Sequence, residues 1–329
     1  MLYAFQVDLR PTIYGLAELD PEHFQAPSLE SPEGKLRRAE EHLQDLRDEI
    51  APLESPDAHA FVIRHDADAR QYIFEVSGVA EAKPEWGYIV GDCIHNLRSS
   101  LDHLILQLAI LGQGGRHLTD REIRSCEFPI YSDPDEFKKR GEGRVRLLRP
   151  GERARIAELQ PFHASDISIW GPEPGIAVPT RAFPAFIPTL LRSINDLDIA
   201  DKHRRVNATW RSANWYAHPE PPEPFRESSI YAGVLKDNAE VGRWGYEGAK
   251  PELPPDMDVQ SYFPISVAIG EAATHHGYGA LDFLGWSVEA VQGVIDLFRP
   301  CFETTGPAKP VRDLTGIGLW TWLDFGSID

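Results

Sequence analysis

Apolar side chains recur every three or four residues in four long stretches of the chain, which is the spacing of one helix face. The four predicted helices span 31–50, 91–111, 184–204 and 280–298. Ser31, followed by Pro32, forms the start signal of the first of these helices. Asp92 is the expected first-turn acid or N-cap of the second, most apolar one, which we call the central helix.

Shorter segments with alternating apolar and polar residues predict β-strands. Segments 59–64 and 71–76 flank the turn sequence Asp66-Ala-Asp-Ala and predict an early hairpin. Further along the chain, four more strands are predicted at 206–210, 229–236, 240–246 and 262–268. Between the two regions, residues 116–183 are rich in Pro, Gly and Arg, and one helix, 151–159, is predicted there.

These elements predict a single α+β domain over 1–329, in which a helical core carries a polar centre. Region 28–205 is predicted to be mainly helical with the early hairpin. Region 206–304 is predicted to hold an antiparallel sheet, in the C-terminal half, and the closing helix. Region 305–329 is an aromatic tail, which we expect to pack on the body because aromatic rings bury large areas.

Composition narrows the class of protein. Of the 329 residues, 42% are hydrophobic, which is sufficient for a sizeable core. The net charge of −18 repels a phosphate backbone, so a broad nucleic-acid platform is not expected, although a local cleft for RNA remains compatible with it. The three cysteines lie far apart and predict neither a disulfide framework nor a zinc ribbon.

The same sequence predicts a cytoplasmic protein that does not contact membranes. Asp8 and Arg10 fall where a signal peptide needs an unbroken apolar core. The longest apolar run, 105–111, contains Gln107 and is too short to span a bilayer.

Polar and titratable side chains share one side of the central helix. At about 100° per residue, they fall within one arc; its members are Asp92, His95, Asn96, Ser99 and His103. A solvated helix face usually carries Lys and Glu, which are good helix formers and easily hydrated. This arc therefore predicts a hydrogen-bonded or reacting site.

Arg98 and His103 have the spacing R-x4-H, and Asp102 lies one turn after Arg98. The pattern resembles the signature of HEPN-type helical ribonucleases, although Ser99 stands where that family commonly has Asn, Asp or His. The resemblance implies metal-independent RNA cleavage, in which His103 exchanges a proton with the ribose 2′-hydroxyl or the leaving oxygen and Arg98 stabilises charge on the phosphate. The alternative is a structural pair of Arg98 with Asp102, with His103 satisfied by neighbours.

The helix predicted over 184–204 provides the second half of the polar centre. Its apolar stripe, projected onward, places Asp201 on the inward face, where an unpaired carboxylate is costly. We expect Asp201 to orient a His or Arg of the central helix, or to form a buried ion pair with Arg98. Both interpretations require the two helices to touch.

A metal site is a further alternative. Its ligands would be side chains of the two helices, namely Asp92, His95, His103, Asp198, Asp201 and His203. Asp and His ligands suit zinc, manganese or iron, but the spacing matches no known cage. We therefore assign no metal and no cofactor from the sequence.

Several sequence pieces occur together in a familiar order. They are GDCIHNLRSSLDHL in the central helix, FPI at 128–130, LQPF at 159–162 and INDLDIADKHR at 194–204. This set resembles a group of bacterial proteins of about this length that generally carry no assigned function. The resemblance implies a shared fold and a shared polar centre, but no reaction.

Three hypotheses follow. The first is a HEPN-like, metal-independent ribonuclease that uses Arg98 and His103, with a composite site across a homodimer as one arrangement. The second is a metal-dependent hydrolase centred on Asp92, His95 and His103. The third is a non-enzymatic module that binds a small molecule or a protein, and whose polar centre only specifies helix pairing.

Overall fold

A computed structural model describes ten parts of the chain. They are residues 26–53, 58–164, 183–203, 206, 208–212, 221–230, 234–254, 257–259, 265–269 and 279–303. The predicted aromatic tail, 305–329, lies outside the described residues, which end at residue 303. Residues 165–182 of the predicted irregular region also lie outside them.

Eight α-helices run through these parts. They are α1 Glu30–Ile50, α2 Pro84–Gly112, α3 Asp120–Ser125, α4 Pro134–Glu136, α5 Glu142–Arg144, α6 Pro150–Glu158, α7 Phe183–His203 and α8 Ala280–Phe298. A π-helical turn, Phe137–Gly141, joins α4 to α5, and short 3-10 turns follow α1, α6 and α8. The four long helices occupy the predicted positions, and the irregular region is more helical than predicted.

Six strands complete the described fold, which is α+β as predicted. They are β1 Ala60–Asp66, β2 Gln71–Ser77, β3 Ala208–Ser212, β4 Phe225–Ile230, β5 Ala239–Tyr246 and β6 Ile265–Ile269. One antiparallel sheet has the order β1-β2-β5-β4, and β3 pairs with β6 in a separate antiparallel ribbon. The early hairpin and the C-terminal strands therefore share a sheet, which the sequence did not predict.

The long helices form a layer in which α2 is central. α2 packs against α1, α7 and α8, and α8 also packs against α1 and α7. The apolar stripe of α2 is fully buried; its members are Ile94, Leu97, Leu101, Leu104 and Leu108. The same continuous core includes Phe74 of β2 and Val241 of β5, so it joins the helices to the sheet.

The central helix begins seven residues earlier than its sequence pattern predicts. Lys83 is its N-cap and Pro84 its first residue, so Asp92 is neither a cap nor a first-turn acid. Trp86 and Val90 extend the buried stripe into this added segment. The packing of these two side chains outweighs the weak helix propensity of Gly87, and Pro84 is favourable at the first helical position because no N–H is needed there.

Among the described helices, none combines the length and the low polarity that crossing a lipid bilayer requires.

Candidate functional site

The polar arc of α2 coincides with the part of the helix that the other described elements leave uncovered. Buried positions surround α2 except for one stripe of exposed and partly exposed side chains, which contains Glu85, Tyr88, Asp92, His95, Ser99 and His103. α1 borders this stripe near His103, and α7 borders it near His95. Asn96, also predicted in the arc, is buried, and its amide donates to the backbone oxygen of Asp92 at 2.8 Å.

His103 contacts a hydroxyl from another helix. Its Nδ1 lies 2.6 Å from Oγ of Ser31, which is exposed in the first turn of α1. The helix starts at Glu30 with Leu29 as N-cap and without a capping side chain, so Ser31 is not the cap that its sequence context predicted. The hydroxyl that could have capped the helix is instead available to the imidazole.

Burial and the positive charge of Lys35 lower the pKa of His103 below its usual value of 6.5. Both causes disfavour the imidazolium, so the ring is neutral at pH 7. In the tautomer with its proton on Nε2, Nδ1 accepts a hydrogen bond from the Ser31 hydroxyl. The arrangement is that of a base already in contact with an alcohol.

His95 forms the other end of the stripe. Its Nδ1 lies 3.1 Å from Oδ1 of Asp198 on α7, and Lys202 donates to Oδ2 of the same carboxylate at 2.6 Å. Ser99 Oγ is 3.5 Å from Nε2 of His95, at the outer limit of a hydrogen bond. The Asp198 side chain is 4% exposed and that of His95 is 53% exposed, so a buried carboxylate orients a half-exposed imidazole.

The two predicted partner helices therefore touch, but through a different acid. Asp198, not Asp201, contacts the central helix's imidazole. The predicted ion pair of Asp201 with Arg98 is wrong, because Arg98 has other partners. The carboxylate of Asp201 instead lies against Gly91, where a Cβ would be 2.5 Å from its Oδ1.

Asp201 occupies a crowded negative environment. Burial is the main cause of its raised pKa, and the charges of Asp92 and Asp198 raise it further. His203 is the last residue of α7, and its side chain lies outside the part that the structure describes.

The side chain of Arg98 is buried and held mainly by neighbouring protein groups. It is 5% exposed, and its Nη2 donates to the backbone oxygen of Phe128 at 2.8 Å and to Glu127 at 3.2 Å. Its Nη1 lies 3.2 Å from Oδ1 of Asp102, and that oxygen accepts from the backbone N–H of Phe128 at 2.8 Å. The guanidinium is thus buried among protein acceptors and is not presented to a phosphate.

Together, Arg98 and Asp102 hold residues 127–131, which we call the strap, against α2. Burial raises the pKa of the Asp102 carboxyl, while the Arg98 charge acts in the opposite direction. Gln160 holds the same segment from the other side, since it donates to the oxygen of Pro129 and accepts from the N–H of Tyr131. The FPI and LQPF pieces of the sequence therefore meet at the strap.

The described side chains among the proposed metal ligands do not form a metal site, and that of His203 lies outside them. Within the described ranges, no group of three or more His, Cys, Asp and Glu side chains could hold a metal ion. His95 and His103 have separate sets of neighbours, from α7 and α1 respectively.

Sequence reasoning identified His103 but missed Ser31 as its partner. Ser31 carried a local signal, a serine before a proline at a helix start, but that signal indicated a cap. The pairing joins residues 72 positions apart, and only the packing of α1 on α2 brings them together.

Comparison of the chain with protein-family models, curated proteins and solved structures found no match. The two family resemblances remain predictions.

Proposed function

We propose that this protein is a metal-independent hydrolase in which Ser31 is the nucleophile and His103 its general base. The observation that supports this most directly is the 2.6 Å contact between the Ser31 hydroxyl and Nδ1 of a neutral imidazole. A nucleophile and a base within about 2.6–3.2 Å of each other are the minimal arrangement for covalent hydrolytic catalysis. Both groups lie at the uncovered stripe, where a substrate can reach them.

The reaction proceeds in two steps. Nδ1 of His103 takes the hydroxyl proton as Ser31 Oγ attacks the carbonyl carbon of an ester. The tetrahedral intermediate then expels the alcohol, which receives the proton from the imidazolium, and an acyl group remains on Ser31. In the second step His103 deprotonates a water that attacks the acyl-enzyme, and returns the proton to Ser31 as the acid leaves.

The position of Ser31 also supports the negative charge of the intermediate. The first backbone N–H groups of a helix have no intrahelical partners and lie at the positive end of its dipole. Ser31 is the second residue of α1, so the N–H groups of Glu30 and Ser31 are the donors available to an oxyanion on its acyl adduct, because Pro32 has no N–H and that of Glu33 donates to the oxygen of Leu29. Lys35, one turn further along α1, adds a positive charge on the same side.

This proposal keeps His103 from the ribonuclease hypothesis and replaces Arg98 by Ser31. RNA cleavage by an Arg98–His103 pair requires a guanidinium that can meet phosphate, and Arg98 is buried with protein acceptors. Ester or amide carbonyls need no such cation. The acidic net charge of the chain also favours neutral substrates over polyanions.

Labelling with a fluorophosphonate probe tests the nucleophile. The parent protein is expected to be labelled at Ser31 and to hydrolyse p-nitrophenyl acetate, and Ser31→Ala to lose both reactions. His103→Gln should slow labelling by about 10²–10⁴-fold, the usual contribution of a general base. Ser99→Ala is the matched control, because Ser99 lies beside the other imidazole of the stripe and should retain parent rates.

The melting temperature of each variant is measured as well. Because Ser31 is exposed, its truncation to alanine should leave the melting temperature close to that of the parent. An unlabelled parent, or equal labelling of Ser31→Ala, would exclude the proposal. The hypothesis of a non-enzymatic module with a structural polar centre would then be preferred.

A further inference from the structure

Positive charge lines one side of the uncovered stripe, next to the pair of Ser31 and His103. Ser31, Lys35 and Arg38 are spaced by four and three residues, so they share the edge of α1 that borders the stripe. Ser31 contacts His103, and the charge of Lys35 acts on the same imidazole. The charge of Arg38 acts on Asp92, further along the stripe. This edge of α1 therefore places a cation one helical turn from the reacting hydroxyl.

The packing of α1 on α2 determines the level at which Lys35 lies. Ser100 Oγ donates to the backbone oxygen of Pro32 at 2.8 Å. Cys93 Sγ donates to the backbone oxygen of Ala39 at 3.3 Å. The two helices are therefore antiparallel, since later residues of one meet earlier residues of the other. Lys35 follows Pro32 by three residues, so it lies level with the middle of the stripe.

Two other cations beside the stripe are held by acids. Nη1 of Arg38 donates to Glu41 at 2.7 Å, and Nζ of Lys202 donates to Asp198 at 2.6 Å. Lys35 is partly exposed, and its charge acts on the imidazole of the proposed base. Its ammonium is therefore the cation that is best placed to meet a charged group of a substrate bound at the hydroxyl.

We propose that Lys35 binds a carboxylate at the end of the substrate's acyl chain, so that the preferred substrates are monoesters of dicarboxylic acids the size of adipate. The inference rests on the proposed hydrolysis at Ser31. Four residues of a helix rise about 6 Å, close to the separation of the two carboxyl carbons in an extended adipate chain. With the ester carbonyl at Ser31 Oγ, the second carboxylate lies at Lys35 and accepts a charge-assisted hydrogen bond from its ammonium.

Acids farther along the stripe limit the length and the charge of this group. Burial raises the pKa of Asp201, and the charges of Asp92 and Asp198 raise it further, so these three acids lie near one another. A longer chain would carry its carboxylate toward them. A phosphate would carry about two negative charges, more than one ammonium neutralises. A single carboxylate at Lys35 is compatible with the acidic net charge, because the contact is much shorter than the screening length of about 8 Å.

Hydrolysis of a matched pair of esters tests the carboxylate site. Mono-p-nitrophenyl adipate and p-nitrophenyl hexanoate have acyl chains of equal length and differ in the terminal carboxylate. Lys35→Gln should lower the ratio of kcat/KM for the adipate ester to that for the hexanoate ester about 5-fold, mainly through a higher KM for the adipate ester. Lys35→Arg should keep the parent ratio. Rates are measured at pH 8, where His103 is neutral with or without the charge of Lys35.

Arg37→Gln is the matched control. It removes one positive charge from an exposed position of α1 that lies about 200° around the helix from Lys35, so it should keep the parent ratio. Thermal melting verifies that the variants are folded.

An unchanged ratio in Lys35→Gln, or an equal loss in Arg37→Gln, would overturn the carboxylate site. The proposed hydrolase would still stand in that case if the parent hydrolysed the hexanoate ester and Ser31→Ala did not. A parent that hydrolyses neither ester would contradict both proposals.

Discussion

At the scale of single residues, the chemistry of α2 could be predicted and its partners could not. An imidazole on the polar side of an apolar helix is recognisable from spacing alone, and His95 and His103 were identified in that way. Ser31 was assigned a cap because serine is favoured at that position. No local feature distinguishes a serine that caps a helix from one in the first turn whose hydroxyl contacts a distant residue.

The prediction of Asp201, where the structure has Asp198, has a similar origin. Two residues three positions apart on a helix differ by about 60° in direction, because three steps of 100° fall 60° short of a full circle. Projection of an apolar stripe cannot separate two carboxylates at that angle. The choice depends on where His95 and Lys202 lie, and the structure places both at Asp198.

The lowered pKa of His103 predicts the pH dependence of the proposed hydrolysis. Its neutral form is the base, so kcat/KM should rise with pH through a midpoint below 6.5 and be constant near pH 7. Lys35→Gln removes a charge that lowers this pKa, and it should therefore move the midpoint toward 6.5. Initial rates of p-nitrophenyl acetate hydrolysis from pH 4.5 to 8, compared for the two proteins, give both midpoints.

The lowered pKa of His103 also makes the stability of the fold depend on pH. Between the lowered folded pKa and 6.5, the unfolded chain binds the proton of His103 more strongly, so this residue's contribution to the free energy of unfolding rises with pH. For the pH dependence of hydrolysis, a midpoint of kcat/KM above 6.5 would contradict the assignment of His103 as the base. A Lys35→Gln variant whose midpoint moves to lower pH would contradict it as well.

At the scale of elements, the long helices and the early hairpin were predicted well because each has a strong period. α8 has the predicted bounds, and β1 and β2 lie within one or two residues of them. The beginning of α2 was missed because Gly87 is a poor helix former and Pro84, which is favoured at the first position of a helix, was not recognised as a start signal. Residues 84–90 are helical because Trp86 and Val90 bury their side chains in the core.

The contact between α2 and α7 depends on Gly91, because glycine has no side chain. A Cβ at Gly91 would lie 2.5 Å from Oδ1 and 2.7 Å from Cγ of Asp201. We expect Gly91→Ala to displace that carboxylate and to cost about 1–3 kcal/mol through overpacking, in spite of the better helix propensity of alanine. Urea unfolding, followed by circular dichroism, measures the change in the free energy of unfolding.

A double-mutant cycle isolates this contact from the propensity effect. Asp201→Ala removes the atoms that meet the new Cβ, so Gly91→Ala should become neutral or stabilising in that background. If Gly91→Ala lowered the free energy of unfolding equally in both backgrounds, the close approach of Asp201 would not be the reason that residue 91 is a glycine.

At the scale of the whole molecule, strand order was the part that the sequence could not provide. Tyr72 of β2 lies opposite Trp244 of β5, although the predicted boundary between the two halves, at 205–206, separates them. Local alternation identifies strands but contains no information on which distant strand they join. The mainly helical half and the C-terminal half are therefore interleaved through one sheet, and the helices rest on the same core.

This interleaving predicts one cooperative unfolding transition for the described body of the protein. The ring of Phe74 on β2 lies 4.8 Å from that of Trp244 on β5, and both are buried. Phe74→Ala should cost about 3–5 kcal/mol and lower the unfolding midpoint of the helices as well as the sheet. Tryptophan fluorescence and far-ultraviolet circular dichroism should then shift together in guanidinium chloride, because neither half can bury its apolar face without the other. Separate midpoints for the two signals, with only one of them sensitive to Phe74→Ala, would instead show two units that unfold independently.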